Sequence, residues 1–192
     1  MPRRRFVFDP PDRFVAGTVG EPGQRTFFLQ ARAGRRIVSV SLEKAQVVVL
    51  ADRLIALLDE LQRRGMVESE PAQPGAPADV DPGLLEEPLN EAFRAGTLTL
   101  GWDGDDELIV VEAREGGDED APLEASDEPA DAEDDEDGPD VVRIRMSASG
   151  ARSFAEGATR VVAAGRPPCP LCGEPLDPLG HLCPRRNGTF LN

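Results

Sequence analysis

The chain has 192 residues, with 36 acidic against 21 basic side chains and a formal net charge of −15. That length suits one medium domain with a small appendage, and no apolar run approaches the ~18 residues that a transmembrane helix needs. The charge says little about a folded surface because it is local: Glu115 to Asp140 holds fourteen Asp or Glu and no Lys or Arg, and the remainder is close to neutral.

Met1-Pro2-Arg3-Arg4-Arg5 is basic, but no apolar core follows it, so it does not read as a secretory signal. The three cysteines are odd in number and clustered, which argues against a disulfide framework. A reduced, cytoplasmic protein is expected. Eight Phe, one Trp and no Tyr leave little material for a base-stacking surface.

In chain order, Asp9-Pro10-Pro11 signals a turn and Phe14 to Thr18 a first strand. Glu21-Pro22-Gly23-Gln24 has Pro and Gly at the positions of a type II turn. Arg25 to Arg32 reads as a second strand, and Ala33-Gly34 closes a tight hairpin. Arg36 to Leu42 alternates, with Ile37, Ser39 and Ser41 on one face and Val38, Val40 and Leu42 on the other, which predicts a strand with one buried face. The period then lengthens. Val47, Leu50, Ala51, Leu54, Leu57, Leu58 and Leu61 recur every three or four residues and predict an amphipathic helix. Ser41 is the expected N-cap, Glu43 sits in the first turn, and Gly65 is the expected stop.

Residues 66–87 are rich in Pro, Ala and Glu without a period and read as a linker. Beyond them the pattern returns. Phe93-Arg94-Ala95-Gly96-Thr97 matches Phe14-Val15-Ala16-Gly17-Thr18, and Glu112-Ala113-Arg114 matches Gln30-Ala31-Arg32 at the end of the following strand. Asp103-Gly104 is the hairpin signal between those two strands. Val141 to Met146 predicts a third strand, and Ser147 to Ala164 a helix closed by Gly165, with Ala151, Phe154, Ala155, Ala158, Val161 and Val162 on one face. The expected architecture is therefore α+β: duplicated βββα units at about 9–65 and 88–165, paired about a pseudo-twofold axis. They would form one six-stranded, mainly antiparallel sheet or half-barrel with two helices. The acidic segment 115–140 falls inside the second unit's hairpin, as a disordered insertion between paired strands. Lengthening such a loop costs only about 0.6 kcal/mol per doubling.

Residues 166–192 form a separate tail. It holds every cysteine and the only histidine, all within fifteen residues. Cys169-Pro170-Leu171-Cys172-Gly173 has the pattern of a zinc knuckle, in which Pro and Gly permit a tight turn whose backbone N–H groups point at the thiolates. His181 and Cys183 complete a tetrahedral set of the Cys₃His type, with Asp177 or a water as the alternative to His181. The spacing His181-Leu182-Cys183-Pro184 departs from the usual two-residue gap. A short C-terminal zinc ribbon with structural Zn²⁺ follows, because 27 residues after Gly165 cannot build a core without a metal. A redox Cys-x-x-Cys would instead open a helix in a βαβ setting, which this one does not. A catalytic zinc would need an open coordination position, and four protein ligands leave none.

No catalytic residue emerges. The one histidine is committed to metal, and no phosphate-cradling glycine loop precedes a helix. Arg143, Arg145, Arg152, Arg160, Arg166, Arg185 and Arg186 give the C-terminal part a basic character suited to phosphates, so an accessory nucleic-acid-binding role is the alternative to a protein-interaction role. A third reading is an enzyme with a pocket between the two repeats; a deep cleft lined by Arg32, Arg114 or Glu112 would favour it.

Taken together, Thr26 to Arg32, Leu42-Glu43-Lys44-Ala45-Gln46, Gly96 to Leu100, and above all Val161 to Gly173 with Gly180 to Arg185 resemble an actinobacterial family of conserved hypothetical proteins, a domain of unknown function. The resemblance spans nearly the whole chain apart from the linker and the acidic insertion. It implies a pathway shared with a histidine-phosphatase-like and a kinase-like protein encoded nearby, and supplies no catalytic residue. The resulting expectation is a cytoplasmic, non-enzymatic zinc-binding adaptor with a protein partner and no membrane segment.

Overall fold

The structure, a computed structural model, describes residues 3–21, 23–67, 84–116, 138–165 and 169–172. Seven strands and two helices follow one another as β1 (Arg5–Phe8), β2 (Arg13–Val19), β3 (Thr26–Ala33), β4 (Arg36–Leu42), α1 (Lys44–Arg63), β5 (Glu91–Asp103), β6 (Leu108–Glu115), β7 (Val141–Met146) and α2 (Ala148–Ala163). They make one sheet in the order β1-β7-β6-β5-β4-β3-β2. The pairs β1·β7 and β4·β5 are parallel and the rest antiparallel.

Local chemistry accounts for the element ends. Gly23 has φ +102°, and the Gln24 N–H donates to the Glu21 carbonyl at 2.9 Å, closing the turn expected there. Gly34 (φ +58°) lies in the two-residue loop between Ala33 and Arg36, which pair across the hairpin. At the end of α1, Gly65 has φ +67°. The Met66 N–H reaches the Leu61 carbonyl and the Gly65 N–H the Gln62 carbonyl, the Schellman pattern that glycine permits. Ser147 caps α2 by accepting from the Gly150 N–H at 3.2 Å.

Three expectations need correction. The N-cap of α1 is Glu43, not Ser41: the Gln46 side chain accepts from the Glu43 N–H at 2.8 Å, a capping box. Ser41 remains in β4 and donates instead to the Glu91 carboxylate at 2.6 Å. The sheet has seven strands rather than six, because Arg5–Phe8 adds alongside β7, with Phe6 opposite Val142. And β4 meets β5 parallel, so the two three-strand sets lie head to tail. A twofold axis would bring like edges together. Helix α1 and the long connection after it supply the crossover that a parallel pair requires.

One face of the sheet is apolar across both halves, and the two halves share a single core. Phe14, Leu29 and Val40 from one half share a gap of only about 10 Å³ with Val111, Val142 and Ile144 from the other. Helix α1 buries Val47, Leu50, Ala51, Leu54, Leu58 and Leu61 in this core. Helix α2 adds Ala151, Phe154, Ala155, Ala158 and Val161, and Phe154 stacks on Phe14 with ring centroids 4.3 Å apart. Small residues on α2 let the helix approach closely, and the burial of these side chains is the main stabilising term.

The opposite face is covered too, against the expectation of one exposed face for β4. Gln30, Ser39, Ser41 and Glu112 are all buried there. The end of the linker contributes: the Gln30 side chain both donates to and accepts from the main chain of Glu86. The acidic stretch connects β6 to β7, which pair directly, from Ile109 opposite Met146 to Arg114 opposite Val141. Its C-terminal end is fastened by Asp140, which accepts from the Arg4 N–H at 2.7 Å and from Arg4 Nε at 2.6 Å. Near its start, a Cβ on Gly96 would lie 2.4 Å from Gly116 Cα, so only glycine fits this bulge of β5.

Candidate functional site

The candidate metal-binding tail leaves the body at the end of α2. The Ala164 N–H closes the helix on the Arg160 carbonyl, and the Ala164 carbonyl accepts from Arg25 NH1 at 2.9 Å. Gly165 follows next to Lys44, whose Nζ lies 3.8 Å from where a Cβ on that glycine would sit. The end of α2, from which the tail departs, thus lies against the start of α1 and the β2–β3 turn.

Cys169 and Cys172 lie on one turn. Cys169 is 6 % exposed and Cys172 half-buried, and neither is in a disulfide. The Leu171 N–H donates to Cys169 Sγ at 3.4 Å. The cause is local: proline fixes φ at Pro170, and the turn that follows swings the amide of Leu171 back over the first sulfur. An N–H aimed at sulfur favours the thiolate over the thiol, since it stabilises the charged form. Thiolate is the form that binds metal. His181 and Cys183, and Asp177 as the alternative, lie outside the described residues. Among the described residues, no group of three His, Cys, Asp or Glu is placed to hold a metal ion.

Of the four described arginines expected to give a basic face, three are in ion pairs and Arg160 is exposed, with its Nε on the Glu156 carbonyl. Arg143 Nε donates to Glu112 at 2.9 Å. Arg145 bridges Asp9, Asp103 and Asp106, and its hydrogen bonds to Asp106 and Asp9 hold the guanidinium even more firmly protonated than usual. Arg152 lies 3.8 Å from Asp59. These three therefore join strands, turns and helices to one another rather than forming a phosphate-binding surface. Arg166, Arg185 and Arg186 lie outside the described residues.

The gap between the two sheet halves, at about 10 Å³ and lined by apolar side chains, is barely large enough for one water. Arg32, Glu112 and Arg114 do not line it. Arg32 lies 3.2 Å from Glu86 and 3.8 Å from Asp12, and Glu112 is buried between Arg143 and Arg114. Sequence reasoning missed the segment 84–89 as part of the fold. The adjacent Leu84-Leu85 at the end of an otherwise polar linker was its one local signal.

The fold and this turn define an α+β protein: a mainly antiparallel seven-stranded sheet, two helices on its apolar side, and a pair of cysteines on a tight turn beyond the second helix. The family model described as "Protein of unknown function (DUF3090)" matches residues 6–183, and the chain belongs to that family. The matched stretch ends at Cys183 and so includes all four candidate ligands. No curated protein and no solved structure matches the chain. Among the described residues, no helix is long and apolar enough to cross a membrane.

Proposed function

We propose that the protein is a non-enzymatic, zinc-binding interaction protein of the reduced cytoplasm, whose tail contacts a partner protein. Cys169, Cys172, His181 and Cys183 hold one structural Zn²⁺ and fold residues 166–192 into a short zinc ribbon. The two βββα sets are a head-to-tail duplication that serves as its platform. The observation that carries the metal reading is the Leu171 N–H on Cys169 Sγ, within a turn that also holds Cys172. A zinc-bound thiolate accepts an N–H in this way, which orients it toward the metal. A nucleic-acid role has less support, because three of the arginines it would use are in ion pairs.

The metal content of the reduced, purified protein tests this directly. About one equivalent of zinc is expected, by analogy with closed four-ligand sites. Cys172→Ser is expected to lose the metal and the hydrogen-exchange protection of the tail, while the unfolding transition of residues 1–165 stays in place. Partner capture from the native host should weaken in the same variant. Reduced protein that carries no zinc, and takes none up, removes the reading.

A further inference from the structure

A second site lies on the body, away from the cysteines. The end of β2, the last turn of α2 and the segment 84–89 enclose an open cavity of about 560 Å³. This is within the range of small-molecule sites, roughly 300–1,000 Å³. Its walls include Val19, Leu85, Leu89 and Val161. Arg25 and Arg160 bring two positive charges to the same space. Glu86 and Glu87 also border it, but the Glu86 carboxylate is taken by Arg32 and Arg13, at 3.2 and 3.7 Å.

Arg25 supplies the second observation. Its NH1 donates to the Ala164 carbonyl, which fixes the guanidinium in place. Its Nε is buried and has no hydrogen-bond partner among the described residues. Arg160 is exposed and uses its Nε on the Glu156 carbonyl, which leaves the outer N–H groups of its guanidinium directed elsewhere. Two guanidiniums beside leucine and valine walls match one class of molecule.

We infer that this cavity binds a small amphiphilic anion, an oxyanion headgroup on an apolar chain, with the headgroup on Arg25 and Arg160 and the chain along Val19, Leu85, Leu89 and Val161. A carboxylate and a phosphate monoester share this chemistry, since each presents oxygens to the planar donors of arginine. The site contains no cysteine and does not depend on the metal reading.

Titration of the full-length protein with the fluorescent probe 1-anilinonaphthalene-8-sulfonate tests the inference. Saturable binding of one probe per chain is expected. Octanoate or octyl phosphate should displace it at least tenfold more effectively than octanol or octylamine, and the better of the two identifies the headgroup. Arg25→Gln should weaken octanoate binding by about tenfold, the loss of one charge-assisted hydrogen bond. Arg160→Gln should weaken it several-fold; this residue is exposed, so the variant keeps the fold if Arg25→Gln does not. No saturable binding, displacement by octanol as good as by octanoate, or unchanged affinity in a folded Arg160→Gln protein would each overturn it.

Discussion

The two halves of the sheet bury a polar side chain at the same place and satisfy it by different chemistry. In the first, Gln30 of β3 sits opposite Ser39 of β4; in the second, Glu112 of β6 sits opposite Arg143 of β7. Both are nearly inaccessible, at 2 % and 3 % exposure. Gln30 donates to Ser39 Oγ at 3.1 Å and to the Glu86 carbonyl at 2.9 Å, and accepts from the Glu86 N–H at 2.8 Å. Glu112 accepts from Arg143 Nε at 2.9 Å, with Arg114 at 3.5 Å. An amide carries both donor and acceptor, so it can pair with a passing main chain. A carboxylate only accepts, so it cannot pair with both the N–H and the carbonyl of a passing main chain. This is why the first half captures the end of the linker while the second half uses its own arginines.

The largest effect should come from breaking the ionic pair on one side only. Arg143→Met leaves a buried carboxylate facing one distant arginine, and a loss of roughly 3–5 kcal/mol is expected in urea or guanidinium unfolding. The double change Glu112→Gln with Arg143→Ser converts the second half to the chemistry of the first and removes both charges together. It should cost clearly less than Arg143→Met. A double variant as unstable as the single one would mean that the two slots are not alternatives.

Next in size is the neutral pair. Gln30→Leu strands the N–H and carbonyl of Glu86, with an expected loss of about 1–3 kcal/mol. The Glu86 amide should lose hydrogen-exchange protection while β6 and β7 keep theirs. Protection unchanged at Glu86 would show that the segment 84–89 is held by its leucines instead.

This pairing also marks how far the sequence could be read. The likeness of Gln30-Ala31-Arg32 to Glu112-Ala113-Arg114 was legible because each lies within one strand and its spacing is local. The same holds for the hairpin at Gly34, the stop at Gly65 and the apolar faces of both helices. What escaped was carried by distant partners. Four residues, Arg5–Phe8, become a strand only because β7 lies beside them, some 136 positions along the chain. Ser39 and Ser41 alternate with Val38, Val40 and Leu42 like the outer face of a half-exposed strand, and nothing nearby says that residues 84–91 will cover them. The parallel meeting of β4 and β5 is likewise set by the crossover rather than by either strand. For the candidate site, the Cys169–Cys172 spacing was enough to foresee a tight turn with an N–H on sulfur; the partners expected from His181 and Cys183 lie outside the described residues.

The smallest expected difference between the halves is in acid. Three carboxylates have lowered pKa values: Glu60, held down by Arg64, lies on α1, and the two at the sheet, Asp140 and Asp103, both belong to its second half. Burial pushes Asp140 up, but the N–H and guanidinium of Arg4 outweigh it and hold the carboxyl below its usual range. Asp103 is lowered by the Asp106 N–H and then by Arg145. A carboxylate whose pKa is depressed by folding adds stability above its unfolded value, about 3.9, and that stability is lost as pH falls through the folded value. Between neutral pH and about 5 the unfolding midpoint should therefore be flat on account of these groups, and it should decline below about pH 4. The loosening should begin where they act: Asp140 joins β1 to β7, and Asp103 holds the β5–β6 turn to Arg145. Hydrogen exchange at pH 3 should accelerate at Val141, whose N–H donates to the Arg4 carbonyl, before it accelerates along β2 and β3. Asp140→Asn isolates the Asp140 contribution, because it removes the titrating group and retains an acceptor for Arg4. Its midpoint should be lower than that of the parent protein at pH 6 and closer to it at pH 3. Parallel curves for the two proteins across that range would show that the Arg4–Asp140 clamp does not make the second half acid-sensitive.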